Sequence, residues 1–148
     1  MTLKVTLLHK IANFIPSSAL RTKTYRFSGV MIGEDVFIGA NVSIDRMHPE
    51  LIKIGDHSAI GANVTISAHQ IIPTTTDLKK LYPYKASKTV IENDVWVMPA
   101  VIIAPGVTIG HHSVIATGSV VHKDVPPYSF VTGFGYQINK SLKSHFES

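Results

Sequence analysis

Between Ile91 and Val125 an aliphatic residue recurs at every sixth position, at Ile91, Val97, Ile103, Ile109, Ile115 and Val121. A second column, four residues later, reads Val95, Val101, Val107, Ser113, Ser119 and Val125. A period of six suits neither an amphipathic helix, which repeats every 3.6 residues, nor an ordinary strand, which repeats every two. It is a signature of a β-helix, in which each hexapeptide supplies a short strand and a corner and the coils stack like on like. The same rhythm runs from Ile32 through Ile38 and Ile44, and again from Ile54 through Ile60 and Ile66.

The rhythm is broken twice, each time after a whole number of triplets: three units before the first break, three before the second, six after it. If three hexapeptides complete one turn of a triangular prism, the twelve units make about four coils, and both breaks leave the prism at the same corner. The short insertion holds Asp45, Arg46, Met47, His48, Pro49 and Glu50; the long one begins at His69, runs over residues 70–89 and carries Tyr82 and Tyr84. Two loops stacked on a rigid scaffold are where function concentrates.

The column three residues after each anchor reads Asp35, Asn41, His57, Asn63, Asp94, Ala100, Gly106, His112, Gly118 and Asp124. Apart from Ala100, these are mostly types that tolerate the left-handed backbone of a sharp corner. His69 falls in the same column as His57 and His112, so position in the repeat does not separate a reactive histidine from a turn-forming one. What distinguishes His69 is that the chain leaves the prism there, beside the Asp45 to Glu50 loop. Trp96, the single tryptophan, precedes an anchor and is expected on the outer surface.

The flanks read differently. Leu7, Leu8, Ile11, Phe14 and Ile15 share one face of a helix that Pro16 stops, and Ser17 or Ser18 caps a second short helix through Leu20. Residues 1–28 thus make a helical cap for the open end of the solenoid, although a basic amphipathic start also suits a membrane surface. After Val125, Pro126-Pro127 end the pattern, and in segment 134–148 Asn139 is placed to cap a last helix bearing Leu142 and Phe146. The chain reads as a single domain, 1–148, with a β-helix over 29–133.

Composition excludes several classes. Without cysteine there is no disulfide, thiolate metal site or cysteine nucleophile. A net charge of +4 is too small to argue for nucleic acid and favours an anionic small ligand. The apolar run around Val95 to Val107 is interrupted by Pro99 and Pro105 and falls short of the roughly 20 residues of a membrane span. The opening decapeptide, broken by Lys4, Thr6 and His9, lacks a secretory pattern, which points to a cytoplasmic protein without an integral membrane segment.

Four stretches, Ala62 to His69, Asn93-Asp94-Val95-Trp96, Pro105 to Gly110 and Gly118 to Pro127, together resemble the left-handed β-helix acyltransferases of the hexapeptide-repeat class, especially those that acetylate sugars and small xenobiotics. The period alone does not set the hand; the left-handed coil of this all-β solenoid comes from the resemblance. So do a homotrimer with sites at subunit interfaces, acetyl-CoA as acyl donor with no metal, and a carbohydrate or other small acceptor. The resemblance places His69 at the catalytic histidine, where an imidazole takes the proton of the attacking acceptor. It makes Asp45 and Trp96 acceptor contacts; the loops' own chemistry adds Arg46, His48 and Glu50 as groups to hydrogen-bond a sugar and Tyr82 and Tyr84 as rings to stack on it, with Tyr82 taken as an acceptor contact. It sets coenzyme A against Trp96, Pro99, Thr117 and His122, with Lys123 available to its phosphates.

Two departures bear on these cofactor contacts: Met98-Pro99 follows Trp96-Val97 where the family has glycine, and Gly133-Phe134-Gly135-Tyr136-Gln137 replaces the usual closing motif. The alternatives are transfer to the nitrogen of an amino sugar or other small amine, and a non-catalytic scaffold. A zinc enzyme of the hexapeptide-repeat kind needs three convergent histidines with a closely spaced pair, and the gaps from His57 to His69 and from His111 to His122 lack that pattern.

Overall fold

Each hexapeptide forms a strand of two or three residues and a corner, and the strands stack into three parallel sheets. The computed structural model describes residues 3–70, 80, 82–133 and 137–141. The first coil holds β1 (Met31–Ile32), β2 (Phe37–Ile38) and β3 (Ser43–Ile44), and the second β4 (Ile52–Ile54), β5 (Ala59–Ile60) and β6 (Thr65–Ile66). A hairpin of β7 (His69–Gln70) and β8 (Lys85–Ala86) then leaves the stack. The third coil is β9 (Thr89–Ile91), β10 (Trp96–Val97) and β11 (Ile102–Ile103), and the fourth β12 (Thr108–Ile109), β13 (Val114–Ile115) and β14 (Val120–Val121). β15 (Ser129–Thr132) begins a fifth.

The first sheet stacks β1-β4-β9-β12, the second β2-β5-β10-β13-β15, the third β3-β6-β11-β14. Register puts anchor over anchor, as in Ile32↔Ile54, Ile54↔Ile91 and Ile91↔Ile109. Four coils and a common exit corner therefore follow the triplet count: both insertions leave between the third sheet and the first. The coil is the left-handed parallel β-helix.

The core is the inner face of this stack. Ile38, Ile54, Ile60, Ile66, Ile91, Ile103, Ile109 and Ile115 are all buried, and so is the second column, including Ser113 and Ser119. Each isoleucine fully removed from water stabilises the fold by roughly 1.5–3 kcal/mol. Ser113 meets its polar requirement by donating to Pro126 O and accepting from Ser129 N–H. Coils lie close enough that a Cβ on Gly61 would stand 2.6 Å from Pro99 N.

The corners are left-handed at Asp35, Asn41, His57, Asn63, Asp94, Ala100 and His112, with φ between 49° and 60°, and at Gly106 and Gly118. Ala100, the one residue type that did not suit a corner, adopts it with φ 60°, held by its N–H to Ala62 O and the stacked turns around it. Asp124 does not follow the column: its carboxylate accepts Thr108 N–H at 2.7 Å and braces the chain before Pro126, and the left-handed turn moves on to Tyr128.

At the open end of the first coil, helix α2 (Ser18–Ser28) is longer than its expected end at Leu20. Its inward side chains close the unpaired edge. Arg21 donates to Ile38 O, Thr22 to Val36 O and Tyr25 to Val42 O, while Ser18 accepts from Ile38 N–H. A bare edge would leave these groups without partners, at a cost of about 1–3 kcal/mol for each one buried. Helix α1 (Leu3–Phe14) packs on α2 through His9, which meets Ser28 and the edge of Tyr25.

The face expected to be buried is not. In α1 the buried residues are His9 and Ala12, while Leu7, Ile11 and Phe14 stay exposed, because α1 turns its other side to α2 and to the coil beside Ile44 and Arg46. Where the expected C-terminal helix would begin there is a strand. Gln137–Ser141 is strand β16, antiparallel to β15, so Asn139 lies within a strand, and the free edge of the last coil is paired by backbone instead of capped by side chains. Leu142 and Phe146 lie outside the described residues.

Candidate active site

Asp45 directly follows Ile44 at the end of β3, where the chain leaves the prism. Its N–H keeps the ladder by donating to Ile66 O at 2.9 Å. Its carboxylate turns back into the corner and gathers donors: Oδ1 accepts from Met47 N–H at 2.9 Å and His48 N–H at 3.2 Å, and Oδ2 accepts from Ala68 N–H at 2.8 Å and from His69 Nδ1. Burial alone would raise this carboxyl's pKa. The four donors, from Ala68, His69, His48 and Met47, outweigh it and hold Asp45 below its ordinary range.

His69 is in β7, paired with Ala86 across the hairpin, and is not among the left-handed corners that take in His57 and His112. Ser87 N–H donates to Ala68 O at 2.8 Å and closes the hairpin base. The ladder fixes the backbone of His69 and the Asp45 carboxylate fixes its ring. Because Nδ1 is the nitrogen that meets the carboxylate, Nδ1 carries the proton and Nε2 is left with its lone pair. The side chain is 18% exposed against 1% for Asp45, so the histidine faces outward from a buried acid.

The two insertions also bring in a group that the sequence pattern offered only as loose candidates. His48 Nδ1 lies 3.1 Å from Glu50 Oε1, and His48 Nε2 meets the Tyr84 hydroxyl. With Glu50 accepting from Nδ1–H, Nε2 accepts the tyrosine O–H. The ring centroids of His48 and His69 are 5.8 Å apart, those of His69 and Tyr84 6.2 Å. Tyr84, on the approach to β8, is thus the loop tyrosine at the histidines, while Tyr82 is 61% exposed. Nothing in the local sequence pairs residue 48 with residue 84; only the shared exit corner could have hinted at it.

Asp45, expected as an acceptor contact, is buried and turns its carboxylate to its four protein donors. From His69 a groove of about 410 Å³ opens past Arg46, Ser43 and Thr65 along the third sheet. The residues expected to hold coenzyme A bracket that same sheet. Pro99 and Thr117 are at the corner entering it, one coil above the other, and His122 and Lys123 are at the corner leaving it, above the His69 exit.

Trp96 is half exposed on the second sheet, the face opposite the His69 corner, in an outer column with Phe37, Ala59, Val114 and Phe130. One chain therefore does not bring Trp96 and His69 together. Among the described residues no group of three or more His, Asp or Glu is placed to hold a metal ion, and no helix is long and apolar enough to cross a membrane.

Comparison with known proteins agrees with this architecture. Residues 88–123 match the family model described as bacterial transferase hexapeptide (six repeats), and residues 29–68 match hexapeptide repeat of succinyl-transferase. "Putative acetyltransferase YvoF" of Bacillus subtilis is 34% identical over 125 residues, 84% of this chain and 68% of that protein. Galactoside O-acetyltransferase of Escherichia coli is 37% identical over 115 residues, 78% of this chain but 55% of that one, so the chain spans about half of the galactoside enzyme. The crystal structure of the hexapeptide-repeat acetyltransferase VCA0836 of Vibrio cholerae, complexed with acetyl coenzyme A, superposes with a TM-score of 0.77 at 30% identity, covering 94% of this chain and 85% of that one. With both repeat models matched, and relatives at 34% and 30% identity of whose length it covers 68% and 85%, the chain belongs to the hexapeptide-repeat acetyltransferase family.

Proposed function

We propose that this acetyl-CoA-dependent acetyltransferase acetylates a hydroxyl of a sugar or glycoconjugate precursor, with His69 as general base. The observation that carries the reading is the buried Asp45 carboxylate at His69 Nδ1, which leaves Nε2 as the basic nitrogen at the mouth of the groove along the third sheet. The acceptor hydroxyl gives its proton to Nε2 as its oxygen attacks the thioester carbonyl. The tetrahedral intermediate expels the coenzyme A thiolate, and the imidazolium returns the proton to that sulfur. No covalent enzyme intermediate is needed, and Asp45 acts by orienting the ring and stabilising its charged form, as a buried acid behind a histidine does.

The similarity of the E. coli relative, a galactoside O-acetyltransferase, supports a carbohydrate acceptor, and the convergence of His48, Tyr84 and Glu50 supplies hydrogen-bonding groups beside His69. The separation of Trp96 from His69 on one chain supports a cyclic homotrimer in which the second sheet of one copy completes the site at the corner of the next. Pro99, Thr117, His122 and Lys123 are assigned to coenzyme A because they flank the sheet along which the groove runs. Incubation with acetyl-CoA and a panel of sugars, read by thiol release, tests the reading. We expect turnover with at least one sugar and its loss in His69→Ala, and turnover unchanged in that variant would overturn the assignment of the base. Acetylation of an amino sugar alone would move the acceptor from oxygen to nitrogen.

A further inference from the structure

Helix α1 is apolar on two sides, and the fold uses one of them. At 100° per residue, Val5, Leu8, His9 and Ala12 form the side turned to the protein, while Leu3, Leu7, Ile11 and Phe14 fall within an opposite arc of about 80°. These four are 86%, 56%, 44% and 89% exposed. Lys10 flanks that arc on one edge and Lys4 on the other, both exposed. Helix α2 repeats the arrangement: with Arg21, Thr22, Tyr25 and Ser28 buried against the coil, Leu20 and Phe27 stay exposed on its outer side, next to Lys23.

Charge narrows what can cover this surface. No Asp or Glu occurs before Glu34, against five cations at Lys4, Lys10, Arg21, Lys23 and Arg26. Arg21 is committed to the carbonyls of Ile15, Pro16 and Ile38 and Arg26 to those of Ile32 and Gly33, which leaves Lys4, Lys10 and Lys23 at the surface, along the edges of exposed apolar residues. An apolar stripe edged by lysines, with no acid on its helical hairpin, complements an interface that is apolar inside and negative at its surface. Lysine stems lie along the apolar zone while their ammonium groups reach the headgroups.

We infer that the α1–α2 hairpin docks this chain on an anionic lipid bilayer, with Leu3, Leu7, Ile11 and Phe14 entering the headgroup boundary and Lys4, Lys10 and Lys23 meeting lipid phosphates. The docking is peripheral, since neither helix is long enough to span. It also borders the exit corner: Lys10 and Asn13 of α1 share a small cavity with Ile44 and Arg46, the neighbours of Asp45. The inference stands independently of the acyl acceptor.

The test is cosedimentation of the full chain with vesicles of phosphatidylcholine alone and of phosphatidylcholine mixed with phosphatidylglycerol, at low and high salt. Binding to the mixed vesicles, weakened by salt and weak on phosphatidylcholine alone, is expected. Leu7→Ser with Phe14→Ser should lose roughly tenfold or more of the partition coefficient, and Lys4→Gln with Lys10→Gln roughly fivefold per charge. Both variants change exposed side chains, so circular dichroism, thermal unfolding and acetyl transfer to a soluble acceptor should be retained, and these readouts separate failure of docking from failure of the transferase reading. Wild-type protein that stays in the supernatant with both vesicles would overturn the inference, as would equal binding to neutral vesicles. A lowered mass in light scattering for Leu7→Ser with Phe14→Ser, with no vesicle binding by wild type, would assign the face to a second copy of the chain.

Discussion

Two corners of the prism place histidine beside aspartate, and they are not equivalent. Between the first and second sheets the stacked column Asp35, His57, Asp94, His112 alternates acid and imidazole, with His57 Nδ1 3.7 Å from Asp35 and His112 Nε2 3.9 Å from Asp94. These histidines are corner residues with φ of 57° and 55°, and their partners lie 83% and 44% exposed. Between the third and first sheets, the chain departs twice, and Asp45 is buried with four donors around it while His69 sits in an extended hairpin. Proximity of acid and imidazole is therefore a by-product of stacking, worth about 0–1 kcal/mol when exposed. Burial of the acid and a fixed tautomer are what make a pair chemically directed, and they arise only where the repeat is interrupted.

The largest expected effect is on rate. His69→Ala should reduce kcat by roughly 10²–10⁴-fold, the range for a general base, whereas His57→Ala and His112→Ala should change it little; thiol release measures all three. Asp45→Asn comes next, expected to lower kcat by about 10²-fold by disturbing the tautomer, and to destabilise the fold by about 1–3 kcal/mol in urea because a buried amide cannot accept from all four donors. Asp35→Asn, at the other corner, should stay within about 0.5 kcal/mol.

Tyr84→Phe should raise KM for the sugar several-fold, with a smaller change in kcat, if the His48–Tyr84 contact positions the acceptor; an unchanged KM would confine that contact to holding the loop. The pH dependence of stability follows from Asp45. Its folded pKa is depressed, so its contribution is complete above the unfolded value near 4 and is lost as pH falls through the lower folded value. Urea midpoints across the acid range should fall less steeply in Asp45→Asn than in wild type. The smallest effect is at Ala100, whose φ of 60° glycine adopts freely: Ala100→Gly should stabilise by at most about 1 kcal/mol in thermal unfolding, relief of strain slightly exceeding the entropy lost.

Much of this was legible because a period of six leaves little freedom. The anchors, the inward serine column and the common exit corner follow from counting, and Trp96 lies outside as expected. The departures all occur where the repeat stops. Leu7, Ile11 and Phe14 have helical spacing, which marks an apolar face without saying what lies against it, and α1 turns that face away from the coil. Asn139 has capping chemistry, but the unpaired edge of β15 is satisfied by a strand. For Asp45, its place after an anchor marks the exit point but says nothing of the four donors that surround it once residues 46–48 and 68–69 fold back.

The sequence by itself determined the solenoid, the number of coils and the two points of exit, because each hexapeptide makes its choice locally and stacking repeats it. Only the tertiary structure decided which histidine is directed and by what. That depended on residues 45, 48, 69 and 84, up to 39 positions apart, meeting at one corner, and on the difference between an aspartate in water and one enclosed by N–H donors.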